Sequence, residues 1–237
     1  MSVHAEADKL RDRVILITGA ARGIGASVAR DCAAQGATVV LLDKHVPGLE
    51  SVYDDIIDSG APAPAIYPLD LKGASVPDYE QLADTLQSQF GRLDSLIHCA
   101  AALGQLAPVE HQDTKTWLET LHINLTGAYL LTRACLPLLK QQFGSNLIFT
   151  SDAHKHNAYW GAYGISKAAI EALAAQIAEE SEAQGKLKVH TVDPGSVQTE
   201  LFARAFPATD PVNLPKPEQI SHHYIDLLCE PDHGQNS

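Results

Sequence analysis

Val14-Ile15-Leu16-Ile17-Thr18-Gly19-Ala20-Ala21-Arg22-Gly23-Ile24-Gly25 is the stretch that decides how this chain folds. Its first four residues are apolar and mostly β-branched, the signature of a short buried strand. The strand ends at a Thr-Gly-x-x-x-Gly-x-Gly turn. Val28 to Gln35 then carries a helical pattern that Gly36 stops. Thr38-Val39-Val40-Leu41-Leu42 is a second buried strand, closed by Asp43. Strand, glycine loop, helix, strand and acid, in that order, predict a dinucleotide-binding unit.

Each glycine has a task in such a unit. Gly19 and Gly25 let the backbone turn tightly and come close to a pyrophosphate. Gly23 lets the loop pack against the helix, whose N-terminus faces the anion. Gly19, Arg22, Gly23, Ile24 and Gly25 are therefore the candidate phosphate-side residues. Asp43 stands 18 residues after Gly25. A carboxylate there accepts both hydroxyls of a ribose and repels a 2′-phosphate, which favours NAD over NADP.

The alternation continues to the end of the chain. Leu49 to Ser59 reads as a helix, and Ala65-Ile66-Tyr67-Pro68-Leu69 as a strand ending at Asp70. Tyr79 to Phe90 is a helix with Leu82, Leu86 and Phe90 on one face. Ser95-Leu96-Ile97-His98-Cys99 is the fourth strand. Thr116 to Gln142 is a long helix holding Asn124. Asn146 to Thr150 is the fifth strand, Ala162 to Gln184 a helix, and Lys188 to Val192 the sixth strand. Apolar strands separated by helices imply an α/β, Rossmann-like, doubly wound parallel sheet covered on both faces. One domain over residues 11–237 is expected, preceded by a flexible tail at 1–10. Asp43, Asp70, Cys99, Ser151 and Pro194 all fall at strand ends, where ligands of such sheets bind.

On the last long helix, Ala162-Tyr163-Gly164-Ile165-Ser166-Lys167-Ala168 places a lysine one turn after a tyrosine. A free phenol titrates near ~10 and is a poor acid-base group at neutral pH. A neighbouring ammonium favours the tyrosinate and lowers that value. Tyr163 could then give a proton to a carbonyl oxygen as hydride arrives, or remove one in reverse.

Composition removes other classes. The chain has 237 residues, 45% of them hydrophobic, and a formal net charge of -12. An acidic chain does not suit nucleic acid, whose phosphates need clustered Lys and Arg. No apolar run reaches the ~18 residues of a spanning helix, no basic amphipathic helix suggests a membrane surface, and the N-terminus lacks a signal-peptide pattern. A cytoplasmic location follows by default. Cys32, Cys99, Cys135 and Cys229 are too scattered for a disulfide framework or zinc site. Cys32 and Cys135 read as buried thiols, and nothing marks Cys99 as a low-pKa nucleophile. His154 and His156 lie two apart in a loop without fixed carboxylates. They suit solvent or the substrate mouth better than a metal, and no metal is expected.

From about Leu10 to about Cys229 the chain resembles the single-domain short-chain dehydrogenase/reductase family. The glycine turn at 18–25 and the Tyr-x-x-x-Lys at 163–167 match its two signature motifs in order and spacing. Asp70, Asn124 in His-Ile-Asn-Leu-Thr-Gly, and Pro194-Gly195 match as well. Trp160-Gly161-Ala162-Tyr163 and Phe206-Pro207 look closer to an uncharacterised bacterial oxidoreductase branch. The resemblance implies that Asp70, with Leu71 beside it, meets the adenine. It implies that the helix is locally distorted at Asn124, whose carbonyl holds a water relaying protons to Lys167, which also binds the ribose. It places Pro194 and Gly195 beside the nicotinamide and makes Thr199 the candidate carboxamide contact, or a helix N-cap. In this family basic residues such as Arg22 and Lys44 often hold the NADP phosphate, which pulls against Asp43.

Three positions depart from the family pattern. The usual Asn-Asn-Ala-Gly after the fourth strand is His98-Cys99-Ala100-Ala101. The catalytic serine normally stands 13 residues before the tyrosine, where this chain has Thr150. A one-residue loop deletion puts Ser151 in the role, hydrogen-bonded to the substrate oxygen, and Ser151 is preferred. A two-residue deletion puts Asp152 there, where its charge would raise the Tyr163 pKa. The family's seventh strand has no counterpart after Leu228, so six strands are expected.

Together these readings predict an NAD(P)-dependent oxidoreductase that interconverts an alcohol and a carbonyl of a small molecule. Tyr163, Lys167, Ser151 and Asn124 are the catalytic set. Thr199 to Pro217, with four prolines, is expected to be a mobile lid. A homodimer or homotetramer through the long helices is expected. The alternative is a catalytically impaired dinucleotide-binding protein, a redox sensor or scaffold.

Overall fold

The computed structural model describes residues 8–183 and 185–230. β1 (Val14–Thr18) runs into α1 (Gly23–Ala34), then β2 (Thr38–Asp43), α2 (Val46–Asp58), β3 (Ala65–Pro68), α3 (Val76–Phe90) and β4 (Ser95–His98). The second half holds α4 (Thr114–Leu121), α5 (Gly127–Leu139), β5 (Ser145–Thr150), α6 (Gly161–Glu182), β6 (Leu187–Val192), α7 (Glu200–Ala205), α8 (Pro217–Ile220) and α9 (His222–Cys229). Among the described residues six strands form one sheet in the order β3-β2-β1-β4-β5-β6, every pairing parallel. The expected six-stranded Rossmann-like sheet is what the chain forms.

The continuous apolar strands are explained by two cores. Leu16, Leu96, Leu147 and Phe149 point to the face covered by α3, α5 and α6. Ile15, Ile17, Val39, Leu41, Ile97 and Ile148 point to the other, under α1, α2 and α9. Because successive strand residues alternate between faces, both sets must be apolar. Local signals agree with this packing. Ser75 and Asp78 form a capping box at the start of α3, and Gly91 ends it with φ 68°. Tyr79, Leu82 and Leu86 are its buried stripe.

Two expectations need correction. The span expected as a tail already belongs to the fold at Leu10, which is fully buried and whose amide donates to Gln35 O at 2.9 Å; residues 1–7 lie outside those described. The long helix expected from Thr116 to Gln142 is interrupted. A π-helical turn, His122–Thr126, separates α4 from α5 and centres on Asn124. Such turns are frequent at functional sites because they re-aim side chains. Phe90 is partly buried and packs against the same core as Leu82 and Leu86, on the face expected of it.

The strand order reverses between β1 and β4, where Thr18 pairs with His98. Their carboxyl ends splay toward opposite neighbours and leave a crevice, the position at which such sheets bind ligands.

Candidate active site

The crevice is a cavity of about 650 Å³, within the usual size range of ligand pockets. It runs from the glycine turn to Tyr163. Gly19, Arg22, Gly23, Ile24 and Gly25 line one end, with Asp43, Asp70 and Leu71; Tyr163, Lys167, Pro194, Gly195 and Thr199 line the other. The structure therefore gathers nearly all the residues singled out from sequence around one space.

The glycines at the first end are required sterically. A Cβ on Gly25 would lie 2.3 Å from Gly19 O. Gly19 has φ 69°, and its Cβ would lie 2.8 Å from Ala100 N. The turn is thus held between α1 and the loop after β4, and the N-terminus of α1 opens on the cavity. A cradle that any side chain would fill, with free helix amides beneath it, fits a pyrophosphate. Asp43 Oδ1 accepts from His45 N at 3.0 Å, leaving Oδ2 without a partner among the described contacts. Asp70 Oδ1 accepts from Lys72 N at 3.1 Å. Arg22 pairs with Glu200 at the start of α7, a contact between loop and lid. No sequence signal could have joined two residues 178 positions apart.

The altered His98-Cys99-Ala100-Ala101 loop still seals the crevice. Ala100 N donates to Thr18 Oγ1 at 3.2 Å. Asn124 holds the next residue, accepting from Ala102 N at 2.7 Å and donating to Ala102 O at 2.9 Å. Its amide also reaches Ser166 Oγ on α6 at 3.0 Å. Asn124 thus ties three elements together behind Tyr163. Burial pushes the Cys99 thiol up to about 11, away from the thiolate that a nucleophile needs. Cys32 and Cys135 are buried, as expected.

The catalytic end departs from expectation. Ser151 Oγ donates to Glu171 Oε1 at 2.6 Å. Asp152, not Ser151, meets the tyrosine: Tyr163 OH donates to Asp152 Oδ2 at 2.8 Å. Ser151 N is bonded to Val192 O, so β5 pairing still fixes the backbone at 151. Ser151 and Asp152 both line the cavity, and the next side chain, Asp152, is the one bonded to Tyr163. The other oxygen, Asp152 Oδ1, accepts from His154 N and from His154 Nδ1, both at 2.8 Å. Since a carboxylate can only accept, Nδ1 carries a proton. The His154 ring stacks on Trp160 at 4.7 Å and meets Phe206 at 5.3 Å. Of the two loop histidines, left between solvent and the substrate mouth, His154 is half-buried in this aromatic cluster and His156 is exposed. Among the described residues no His, Cys, Asp and Glu cluster could hold a metal.

Lys167 is buried one turn from Tyr163. Its Nζ lies 5.6 Å from the ring centroid and donates to Thr150 O at 2.6 Å. Burial lowers its pKa to about 8, against the attraction of Asp152. Lys167 was expected to lower the Tyr163 pKa, but the balance runs the other way. Burial first, then the charge of Asp152 and its hydrogen bond, push the phenol well above its ordinary value. Tyr163 keeps its proton at neutral pH. Thr199 Oγ1 accepts from Phe202 N at 3.2 Å and caps α7.

Comparison with known proteins agrees with this geometry. The model of the short chain dehydrogenase family matches residues 13–210. Oxidoreductase YciK of Escherichia coli K12, itself uncharacterised, is 35% identical over 230 residues, covering 96% of this chain and 90% of that one. A short chain dehydrogenase structure from Pseudomonas syringae is 40% identical with a TM-score of 0.93, covering 99% and 95% of the two chains. One from Shigella flexneri, complexed with NADP, is 36% identical with a TM-score of 0.91, covering 94% and 93%. The protein is an oxidoreductase and belongs to the short-chain dehydrogenase family.

Proposed function

We propose that the protein interconverts an alcohol and a carbonyl by hydride transfer with a nicotinamide dinucleotide, and that Tyr163 exchanges the proton with the substrate oxygen. The observation that carries this reading is a single cavity joining the glycine cradle to Tyr163, with Lys167 buried beneath it. The bound cofactor would supply the hydride donor or acceptor. Gly19, Gly23 and Gly25 would hold its pyrophosphate, Asp43 its adenosine ribose and Asp70 with Leu71 its adenine. Pro194, Gly195 and Thr199 would flank the nicotinamide. Lys167 would bind the second ribose and place positive charge beside the reacting oxygen. Asn124 would keep its relay role through its backbone while its side chain fixes the loop.

Leu103, Trp160 and Phe206 pack with Tyr163 into an apolar cluster beside the cavity, while Leu201 and Phe202 line it from the lid. An apolar ketone or aldehyde suits that wall. For the cofactor, NAD is our reading, resting on Asp43 and on Glu200 neutralising Arg22. The NADP-bound Shigella flexneri relative lends it no support. Leu118, Tyr129 and Ile165, exposed on α4, α5 and α6, suit a homo-oligomer through these helices.

The test is NADH and NADPH oxidation against a panel of aliphatic and aromatic ketones and aldehydes, with NAD and NADP reduction by the matching alcohols. Turnover by wild type that Tyr163→Phe lowers by 100-fold or more, about the contribution of a general acid, supports the reading. Tight dinucleotide binding with no turnover would instead favour a sensor or scaffold.

A further inference from the structure

Asp152 stands where a hydroxyl was expected, and its two oxygens face different partners. Oδ2 receives the Tyr163 proton, and Oδ1 receives the amide and Nδ1 protons of His154. Three donors fix the carboxylate. The other charged or titratable groups around it come from every neighbouring element. Lys167 lies on α6, Asp193 after β6 and Cys99 after β4. On its own turn, Lys155 reaches Asp152 O at 3.5 Å and is paired with Glu171, and His156 follows.

A tyrosine that keeps its proton cannot accept a substrate proton unless it passes its own on in the same step. Among the described residues one acceptor is bonded to the Tyr163 hydroxyl, and it is Asp152 Oδ2. We propose that Asp152 is the proton acceptor and donor of this reaction, acting through Tyr163, and that His154 is the positioning residue that aims it. The inference rests on Tyr163 being the group that meets the substrate. In alcohol oxidation the substrate O–H bond breaks as a new Tyr163 O–H bond forms. The old Tyr163 O–H bond breaks as Asp152 Oδ2–H forms. The C–H electron pair leaves as hydride to the nicotinamide, and the carbonyl is left. The carboxyl ends neutral, with Oδ1 still accepting from His154. Carbonyl reduction reverses each step. The tyrosinate is never formed, so the repulsion between two adjacent anions is avoided.

Two measurements test this, one of which needs no turnover. The first is phenolate absorbance through alkaline pH, each protein compared with its Tyr163→Phe counterpart. In wild type, Tyr163 should stay silent through the ordinary phenol range near ~10, whereas Asp152→Ser, which leaves the burial but removes the charge and its hydrogen bond, should lower the pH at which it ionises. Identical titration of Tyr163 in both would overturn the proposal. The second is the pH profile of alcohol oxidation. On the acid side, wild type should hold kcat to lower pH than Asp152→Ser, whose acid limb should move toward alkaline pH. Asp152→Asn should lower kcat about 100-fold. His154→Leu should lower kcat with KM held, and His154→Asn, whose amide can replace the Nδ1 donor, should restore it. If Tyr163→Phe abolishes turnover but Asp152→Asn keeps the wild-type rate and profile, this inference alone falls. If Tyr163→Phe is fully active, or wild type turns over nothing, the underlying reading falls and takes the inference with it.

Discussion

His98 offers a sharp test of how the altered loop after β4 is built. Its ring is buried and lies flat on Phe149, with centroids 4.8 Å apart and an interplanar angle of 3°. Nε2 is 2.9 Å from Thr132 Oγ1 on α5. Burial, helped by the charge of Lys167, lowers the imidazole pKa from 6.5 to about 3. The folded chain therefore refuses a proton that the unfolded chain takes up below pH 6.5. Stability from this group is complete above 6.5 and is lost as pH falls toward 3. At about pH 4.5 the unfolded imidazole is protonated by two pH units while the folded one is still neutral. That corresponds to about 3 kcal/mol, or roughly 6–12 °C in Tm for a chain of this length. The assay is thermal unfolding of wild type and His98→Gln near pH 7.5 and pH 4.5. Losing the ring contact should cost His98→Gln about 1 kcal/mol at neutral pH. On acidification it should then lose clearly less Tm than wild type, because carboxylates and the other histidines titrate alike in both. An equal acid-induced drop in the two proteins would refute the burial argument.

Gly25→Ala should abolish dinucleotide binding measured by NADH or NADPH fluorescence, since its Cβ would fall 2.3 Å from a backbone oxygen that cannot move aside; binding within threefold of wild type would mean the turn is not the cradle. Asp43→Ala should strengthen NADPH binding relative to NADH by about tenfold, as one repulsive charge is removed from the 2′ position. Glu200→Gln should favour NADPH further by freeing Arg22 from its partner. Tighter NADPH binding by wild type would mean that Arg22 and Lys44 outweigh Asp43.

Much of this was legible before any coordinates. Period and punctuation were enough for the strands, because a doubly covered parallel sheet needs apolar residues on both sides of each strand, and Val14 to Ile17 or Thr38 to Leu42 can be little else. The site residues at strand ends followed from the same topology. What sequence could not supply was a choice between neighbours in a loop of altered length. Ser151 and Asp152 differ by one position, and only their partners in the folded chain, Glu171 for Ser151 and Tyr163 for Asp152, tell them apart. The break in the helix at His122–Thr126 was likewise invisible to a periodicity argument, since one extra residue in a turn leaves the apolar pattern on either side intact. The pairing of Arg22 with Glu200 depends on where α7 is folded back, which no local signal encodes.

The departures from the family pattern also separate the two halves of the pocket. On the cofactor side, the two asparagines and the glycine missing from the 98–101 loop are replaced by contacts that depend on backbone atoms. Ala100 offers its amide to Thr18, and Ala102 offers both amide and carbonyl to Asn124. Small side chains suffice there, because Gly19 lies against the Ala100 backbone and a larger neighbour would close the crevice. The loop can therefore change sequence and still present the same wall. On the catalytic side no such substitution is neutral. Exchanging a hydroxyl for Asp152 adds an acceptor that holds the Tyr163 proton, and the nearby Lys167 does not outweigh it. The fold and the cofactor cradle can thus be those of the family while the proton follows a different route. Proton transfer by that route should then answer to substitutions at Asp152 and His154 as strongly as to those at Lys167.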